Sequence, residues 1–155
     1  MIKKLIDNYM DTEAIAVIEG GMELAKKMNS QKFDLICFTG STFVGRLVAI
    51  EAAKNLVPCI LELGGKCPFI VDRDADINTA ATKCAWAKTI NSGQVCIAPD
   101  YVFVHESKMK QFVEAYQRKV KEFFGDSDKL SPYQGKIINE FHAKRLKNLI
   151  DTSGG

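Results

Sequence analysis

No run of uncharged apolar residues in this sequence reaches the roughly 18–20 needed to cross a bilayer. The most apolar stretch, Leu47 to Leu63, is interrupted by Glu51, Lys54 and Glu62, so no membrane span is expected in this segment. Net charge is scarce as well: 21 Lys and Arg stand against 19 Asp and Glu, a balance of +2. A nucleic-acid or membrane-surface binder carries a larger or more segregated basic excess, so no nucleic-acid partner is expected. Histidine is limited to His105 and His142. Neither has a spacing partner, which argues against a papain-like Cys-His pair. Cysteines stand at 37, 59, 67, 84 and 96, an odd number with no CxxC. A disulfide framework or a metal site is therefore not expected, and a reducing, cytoplasmic location is the default. Met1–Asp7 has two lysines but no apolar region behind them, unlike a secretory signal.

What remains is an ordinary globular composition of 155 residues, 46% apolar and 26% charged. The apolar spacing of Ile2, Leu5, Ile6 and Tyr9 predicts a helix over 2–10. Ala14–Ile18 reads as a short strand, and 22–29 as a second helix after Gly20-Gly21. Asp34–Thr39 reads as a strand buried on both faces. A helix with Val44, Leu47, Val48 and Ala52 on one face follows, then strands at 58–63 and 69–71. Asp74 is positioned to cap a helix striped with Ile77, Ala80, Ala81, Cys84 and Ala85. Tyr101–Val104 returns as a strand. A long helix over 107–124 turns Met109, Phe112, Val113, Tyr116, Val120 and Phe123 inward, and a last helix spans about 137–150. Strands alternating with helices predict an α/β fold with largely parallel pairing.

Three segments carry chemistry. In Phe38-Thr39-Gly40-Ser41-Thr42-Phe43-Val44-Gly45 a strand runs through a Gly-Ser turn straight into a helix. Helix N-termini of this kind offer free N–H groups to phosphate oxygens, though many such junctions are only turns. In Leu61-Glu62-Leu63-Gly64-Gly65-Lys66, Glu62 closes an apolar strand. There it stands at the carboxyl end of a parallel strand, where open α/β sheets place ligands; an ion pair with Lys66 over the Gly-Gly turn would also account for it. In Asn91-Ser92-Gly93-Gln94-Val95-Cys96-Ile97-Ala98-Pro99, Cys96 lies in a polar loop bounded by Gly and Pro. That is the setting of a reactive thiol, and equally of an ordinary loop cysteine. Cys37, Cys59 and Cys84 read as small packed hydrophobes, and Cys67, after a turn, stays ambiguous.

Taken in this order, T-G-S-T-x-x-G, L-E-L-G-G-K and N-x-G-Q-x-C resemble the NAD(P)-dependent aldehyde dehydrogenase superfamily. Asn55-Leu56 and Asp74-Ala75-Asp76-Ile77 add to the match, and Cys96-Ile-Ala-Pro-Asp-Tyr looks most like the class 3 and fatty aldehyde dehydrogenase branch. The resemblance covers essentially the whole chain. It implies that residues 1–62 are the C-terminal half of a Rossmann-like cofactor domain and residues 63–155 the start of an α/β catalytic domain. It implies Cys96 as the nucleophile, with its own N–H as one oxyanion donor, and Glu62 as the general base. Thr39, Gly40, Ser41, Val44 and Gly45 match the cofactor segment, Ser41 at the pyrophosphate and Val44 beside the adenine. Leu63 matches the residue whose carbonyl meets the carboxamide.

The same resemblance implies NAD or NADP as cofactor, an aldehyde as substrate and a homodimeric or homotetrameric parent enzyme. Members of the family are much longer than this chain, so the sequence reads as the central segment of such an enzyme. Cys67 stands where the family usually has serine. Two other readings stay open: a non-catalytic interaction module on the same scaffold, and a thiol esterase.

Overall fold

Ile2–Tyr9 forms the first helix, α1, and Met22–Asn29 the second, α2, in a computed structural model that describes residues 1–126 and 131–154. Between them Ala14–Ile18 is not a strand. Asp11 accepts from the N–H groups of Ala14 and Ile15 in a turn, and no strand among the described residues lies beside this run. An apolar run becomes a strand only where a neighbour supplies its ladder.

Strand β1 (Ile36–Thr39), helix α3 (Thr42–Ala53) and strand β2 (Cys59–Glu62) make one β–α–β step, and β1 and β2 pair in parallel, Thr39 opposite Glu62. Their core is Ile36, Val48, Ala52 and Val57, backed by Phe38, Cys59 and Leu61. The expectation of strands buried on both faces is corrected here: burial alternates along each strand, and Cys37 and Ile60 face outward. Cys37 is thus exposed rather than packed. Val44 and Leu47 likewise stay open, at 41% and 51% exposure. The face that meets the sheet is Gly45, Val48 and Ala52, one helical stripe of spacing three and four. Asn55 ties the ends of α3 and α2 together, its Nδ2 donating to the Ser30 carbonyl at 2.8 Å.

Strand β3 (Cys67–Val71), helix α4 (Ile77–Thr89) and strand β4 (Pro99–Val104) repeat the pattern, and β3 and β4 are again parallel. Asp76, not Asp74, caps α4. Its carboxylate accepts from the Thr79 N–H at 2.7 Å, and hydrogen bonding from Thr79, its side chain first and its main chain second, holds the Asp76 carboxyl below its usual range. Residues 73–75 precede the helix as a turn closed by Ala75 N–H on Asp72. The stripe Ala81, Cys84 and Ala85 is nearly free of solvent and lets helix α5 (Met109–Phe124) approach, with Phe112 and Ala115 buried against it and Val71 beneath. Met109 and Val113, expected inward, are exposed at 46% and 43%. Helix α5 begins after a 3₁₀ turn at Glu106–Lys108, which His105 caps through Nδ1, and stops at Gly125 with φ 80°. Helix α6 (Glu140–Thr152) starts at an Asn139 cap, three residues later than its spacing suggests.

The chain divides into two compact units, Met1–Leu63 and Gly64–Gly155. Cores, sheets and caps all lie within one unit or the other. No described helix is long and apolar enough to cross a membrane.

Candidate active site

In the first unit the candidate residues gather at the carboxyl ends of β1 and β2. The Gly40 N–H donates to the main-chain carbonyl of Glu62 at 3.0 Å, extending the ladder by one bond past Thr39. Directly after it, Ser41 caps α3, its Oγ accepting from the Val44 N–H at 3.2 Å. The N–H groups of Thr42 and Phe43 then open the first turn with no acceptor inside the helix. The helix start and the Glu62 carboxylate therefore share one strand end, and Thr39, Gly40, Ser41, Val44 and Glu62 are all exposed there. Gly45 is buried one turn in. A Cβ on it would stand 2.7 Å from Leu63 Cδ2, so a larger residue there would push the Leu63 side chain aside.

These features fit a dinucleotide: an N-terminal helix turn for anionic oxygens, an exposed Val44 beside it for an apolar ring, and a carboxylate at the same edge.

In the second unit Cys96 sits on an exposed turn between α4 and β4, closed by the Ala98 N–H on the Val95 carbonyl at 3.0 Å. The backbone leading to it is strained. Asn91, Ser92 and Gly93 have φ of 50°, 56° and 76° in succession, a left-handed run costly for serine and held only where the surroundings impose it. Side chains impose it here. Asn91 Nδ2 donates to the Gln94 carbonyl at 3.0 Å, and Gln94 Nε2 donates back to the Asn91 carbonyl at 2.9 Å. Gln94 Oε1 accepts from the Ile138 N–H at 2.9 Å, and Ser92 Oγ donates to the Gly135 carbonyl. Residues 135–138 thus strap the loop that presents Cys96. Among the described residues the Cys96 N–H has no hydrogen-bond acceptor.

The other side of the same turn is held by residues 65–67. Cys67 Sγ donates to the Cys96 carbonyl at 3.4 Å. A Cβ on Gly65 would stand 2.7 Å from that carbonyl oxygen, so only glycine fits. Lys66 pairs with Asp100 at 2.7 Å. That ion pair holds the Asp100 carboxyl below its usual range and raises the Lys66 ammonium. Asp100 is also the extra residue of a bulge, since Cys67 pairs with Pro99 and Pro68 with Tyr101. Gly65, Cys67, Gln94 and Asp100 as supports of the Cys96 turn are not evident in the linear sequence. Only the glycine pair before Lys66 hints at a close approach.

A cavity of about 190 Å³ opens beside Cys84, Val102, Phe112 and Tyr116, with Lys88 and Asp100 as its charged members. None of the sequence-predicted site residues lines it. Among the described residues no cluster of His, Cys, Asp or Glu could hold a metal ion.

Two parallel strand–helix–strand steps, one with a helix N-terminus beside a carboxylate and the other leading through a turn with an exposed thiol, define an α/β protein. More particularly, the chain belongs to the aldehyde dehydrogenase family, whose match covers residues 2–154. It is 44% identical over 152 residues to a mouse (Mus musculus) "aldehyde dehydrogenase, dimeric NADP-preferring", covering 98% of this chain and 34% of that one. It is 42% identical over 150 residues to mouse "aldehyde dehydrogenase family 3 member A2", covering 97% and 31%. A substrate-bound structure of Staphylococcus aureus AldH superposes with a TM-score of 0.85 at 42% identity, covering 97% of this chain and 33% of that one. The α/β fold is that of the family, and the resemblance to its class 3 branch holds. The chain spans about a third of the length of the relatives it matches.

Proposed function

We propose that this chain is the central segment of an NAD(P)-dependent aldehyde dehydrogenase that oxidises aldehydes to carboxylic acids, with Cys96 as the nucleophile and Glu62 as the general base. One observation carries the reading: Cys96 is an exposed thiol on a turn whose backbone is held from both sides, by the Asn91–Gln94 clasp and by Cys67. A nucleophile on such a turn is held in place before substrate arrives, which is what effective positioning requires. On this reading residues 1–62 are the C-terminal half of the cofactor domain and residues 63–155 the start of the catalytic domain.

The chemistry follows from these groups. The Cys96 sulfur bonds to the aldehyde carbon, and the carbonyl oxygen becomes an oxyanion that accepts from the Cys96 N–H, which has no acceptor among the described residues. NAD or NADP, when bound at Thr39, Gly40, Ser41, Val44, Gly45 and Leu63, supplies the acceptor for the hydride. Glu62 takes a proton from the thiol, and later from the water that hydrolyses the thioester on Cys96. A free thiol with a pKa of about 8.5 is mostly protonated at neutral pH and gains from such a base. The "dimeric NADP-preferring" name of the mouse relative supports NADP as one acceptor and a dimeric parent enzyme. The cysteine usage supports a cytoplasmic home.

The reading is tested with iodoacetamide and peptide mapping of the folded chain. Cys96 is expected to label first, ahead of Cys37, which is also exposed. In the full-length enzyme Cys96→Ser is expected to remove turnover, by about 10³-fold or more, while cofactor binding stays within about twofold. A Cys96→Ser enzyme that still turns over overturns the assignment.

A further inference from the structure

The second unit holds two thiols at one turn. Cys96 is exposed, and Cys67 is half-buried with its Sγ 3.4 Å from the carbonyl oxygen of Cys96 itself. Cys67 opens β3 opposite Pro99, where the Asp100 bulge interrupts the register, and bulges re-aim the side chains beside them. Gly65, lacking a Cβ, lets the two segments close to this distance. Cys84, the remaining cysteine of the unit, is buried in the α4–α5 core.

We propose that Cys67 is a resolving thiol for Cys96, so that a hydroperoxide converts the pair to an intramolecular disulfide. The proposal rests on Cys96 being the reactive thiol of the site. In the first step the Cys96 thiolate attacks the terminal oxygen of the hydroperoxide. The O–O bond breaks, the sulfur is oxidised by two electrons to a sulfenic acid, and the peroxide leaves as an alcohol, or as water from hydrogen peroxide. In the second step the Cys67 sulfur attacks the sulfenic sulfur. The S–S bond forms, the S–O bond breaks, and the hydroxyl departs as water with the Cys67 proton.

A disulfide asks for Cβ atoms about 3.8 Å apart. The Cys67 sulfur already lies 3.4 Å from the carbonyl oxygen of residue 96, so closure asks for rotation of the exposed Cys96 side chain and movement of its turn. The product shields the nucleophile from irreversible oxidation, and a dithiol reductant returns both thiols.

The test treats the folded, fully reduced 155-residue chain with hydrogen peroxide, with and without dimedone as a sulfenic-acid trap, and maps the peptides by mass spectrometry. A Cys67–Cys96 disulfide reversed by dithiothreitol is expected. Cys67→Ser, which keeps a donor for the Cys96 carbonyl but has no sulfur, is expected to raise trapped or over-oxidised Cys96 at least about tenfold. Peroxide products at Cys96 with no link to Cys67, and equal trapping in Cys67→Ser, overturn the proposal while leaving the nucleophile assignment intact. A Cys96 that resists both peroxide and iodoacetamide overturns the two together. The disulfide is mapped directly in the unmodified chain, so its detection does not depend on how the variant folds.

Discussion

Gly40 and Glu62 are joined main chain to main chain: the Gly40 N–H donates to the Glu62 carbonyl at 3.0 Å. The bond places the start of α3 and the Glu62 carboxylate at the same end of two parallel strands. Because it uses the Glu62 backbone alone, the carboxylate is left for chemistry. Glu62→Gln therefore keeps the strand end and removes only the base. In the full-length enzyme it is expected to lower kcat by about 10²–10⁴-fold with NAD(P) affinity nearly unchanged. Steady-state kinetics beside a cofactor titration check this, and an unchanged kcat would take the base role away from Glu62.

Gly65→Ala tests the support beneath Cys96. The added Cβ would meet the Cys96 carbonyl oxygen at 2.7 Å, a backbone atom that cannot swing aside as a side chain would. The turn must shift, and a displacement near 1 Å at a reacting group can cost about 10²-fold. Slower iodoacetamide labelling of Cys96 and a fall in kcat of that order are expected, with the guanidinium midpoint as the control for folding. Unchanged labelling would show that the turn tolerates the movement.

High pH should weaken the second unit. Burial raises the Cys84 thiol pKa against a smaller opposing pull from Lys88, and burial together with Cys84 raises Tyr116. A thiol whose folded pKa lies above its unfolded value stabilises fully below the unfolded value, about 8.5. That contribution is lost as pH rises through the folded value, because the unfolded chain then gives up its proton first. Guanidinium midpoints measured under reducing conditions are expected to fall from pH 7.5 to pH 10, and less steeply in Cys84→Ala. Identical slopes in the two chains would remove Cys84 from the account.

Phe112→Ala is expected to cost about 3–5 kcal/mol, as a buried aromatic removed from a packed core does. Phe112 lies against Val71, Ala81 and Cys84. The exposed Ile70 on the neighbouring strand serves as the comparison, and Ile70→Ala should change the midpoint little. A loss of similar size at both positions would mean that the core is misplaced.

The 155-residue chain by itself is expected to form no NADH or NADPH from aliphatic or aromatic aldehydes, followed by the absorbance of the reduced nicotinamide. It spans about a third of its relatives, and hydride transfer needs reacting atoms held within about 3–3.5 Å. Turnover at about 1 s⁻¹ or more, an ordinary enzymatic rate, would show that these residues suffice.

Much of the fold is legible residue by residue. Helix α2 begins after a glycine pair and α5 stops at Gly125, because glycine leaves the chain free to turn and apolar spacing of three and four marks the face between. The parallel strand–helix–strand order is readable from Gly40-Ser41 and Gly64-Gly65 for the same local reason. Ala14–Ile18 shows where this stops. Five apolar residues have strand composition, but pairing depends on a neighbour the local sequence does not contain. The spacing points to Asp74 as the cap of α4, and Asp76 takes that place because residues 73–75 form a turn and it is Asp76 that meets the Thr79 N–H.

For the candidate site, residue types and spacing alone singled out Cys96, Glu62 and the Gly40–Gly45 segment, since a thiol in a polar loop, a carboxylate closing an apolar strand and a glycine at a helix start are local anomalies. What only the tertiary structure decided is what surrounds them. The Cys67 thiol on the Cys96 carbonyl, the Lys66–Asp100 ion pair and the Gln94 bonds to residues 136 and 138 each join positions 29 to 44 residues apart. Such contacts follow from β3–β4 register and from the path of the chain back across the loop, which are set by packing in three dimensions and leave no periodic mark in the sequence.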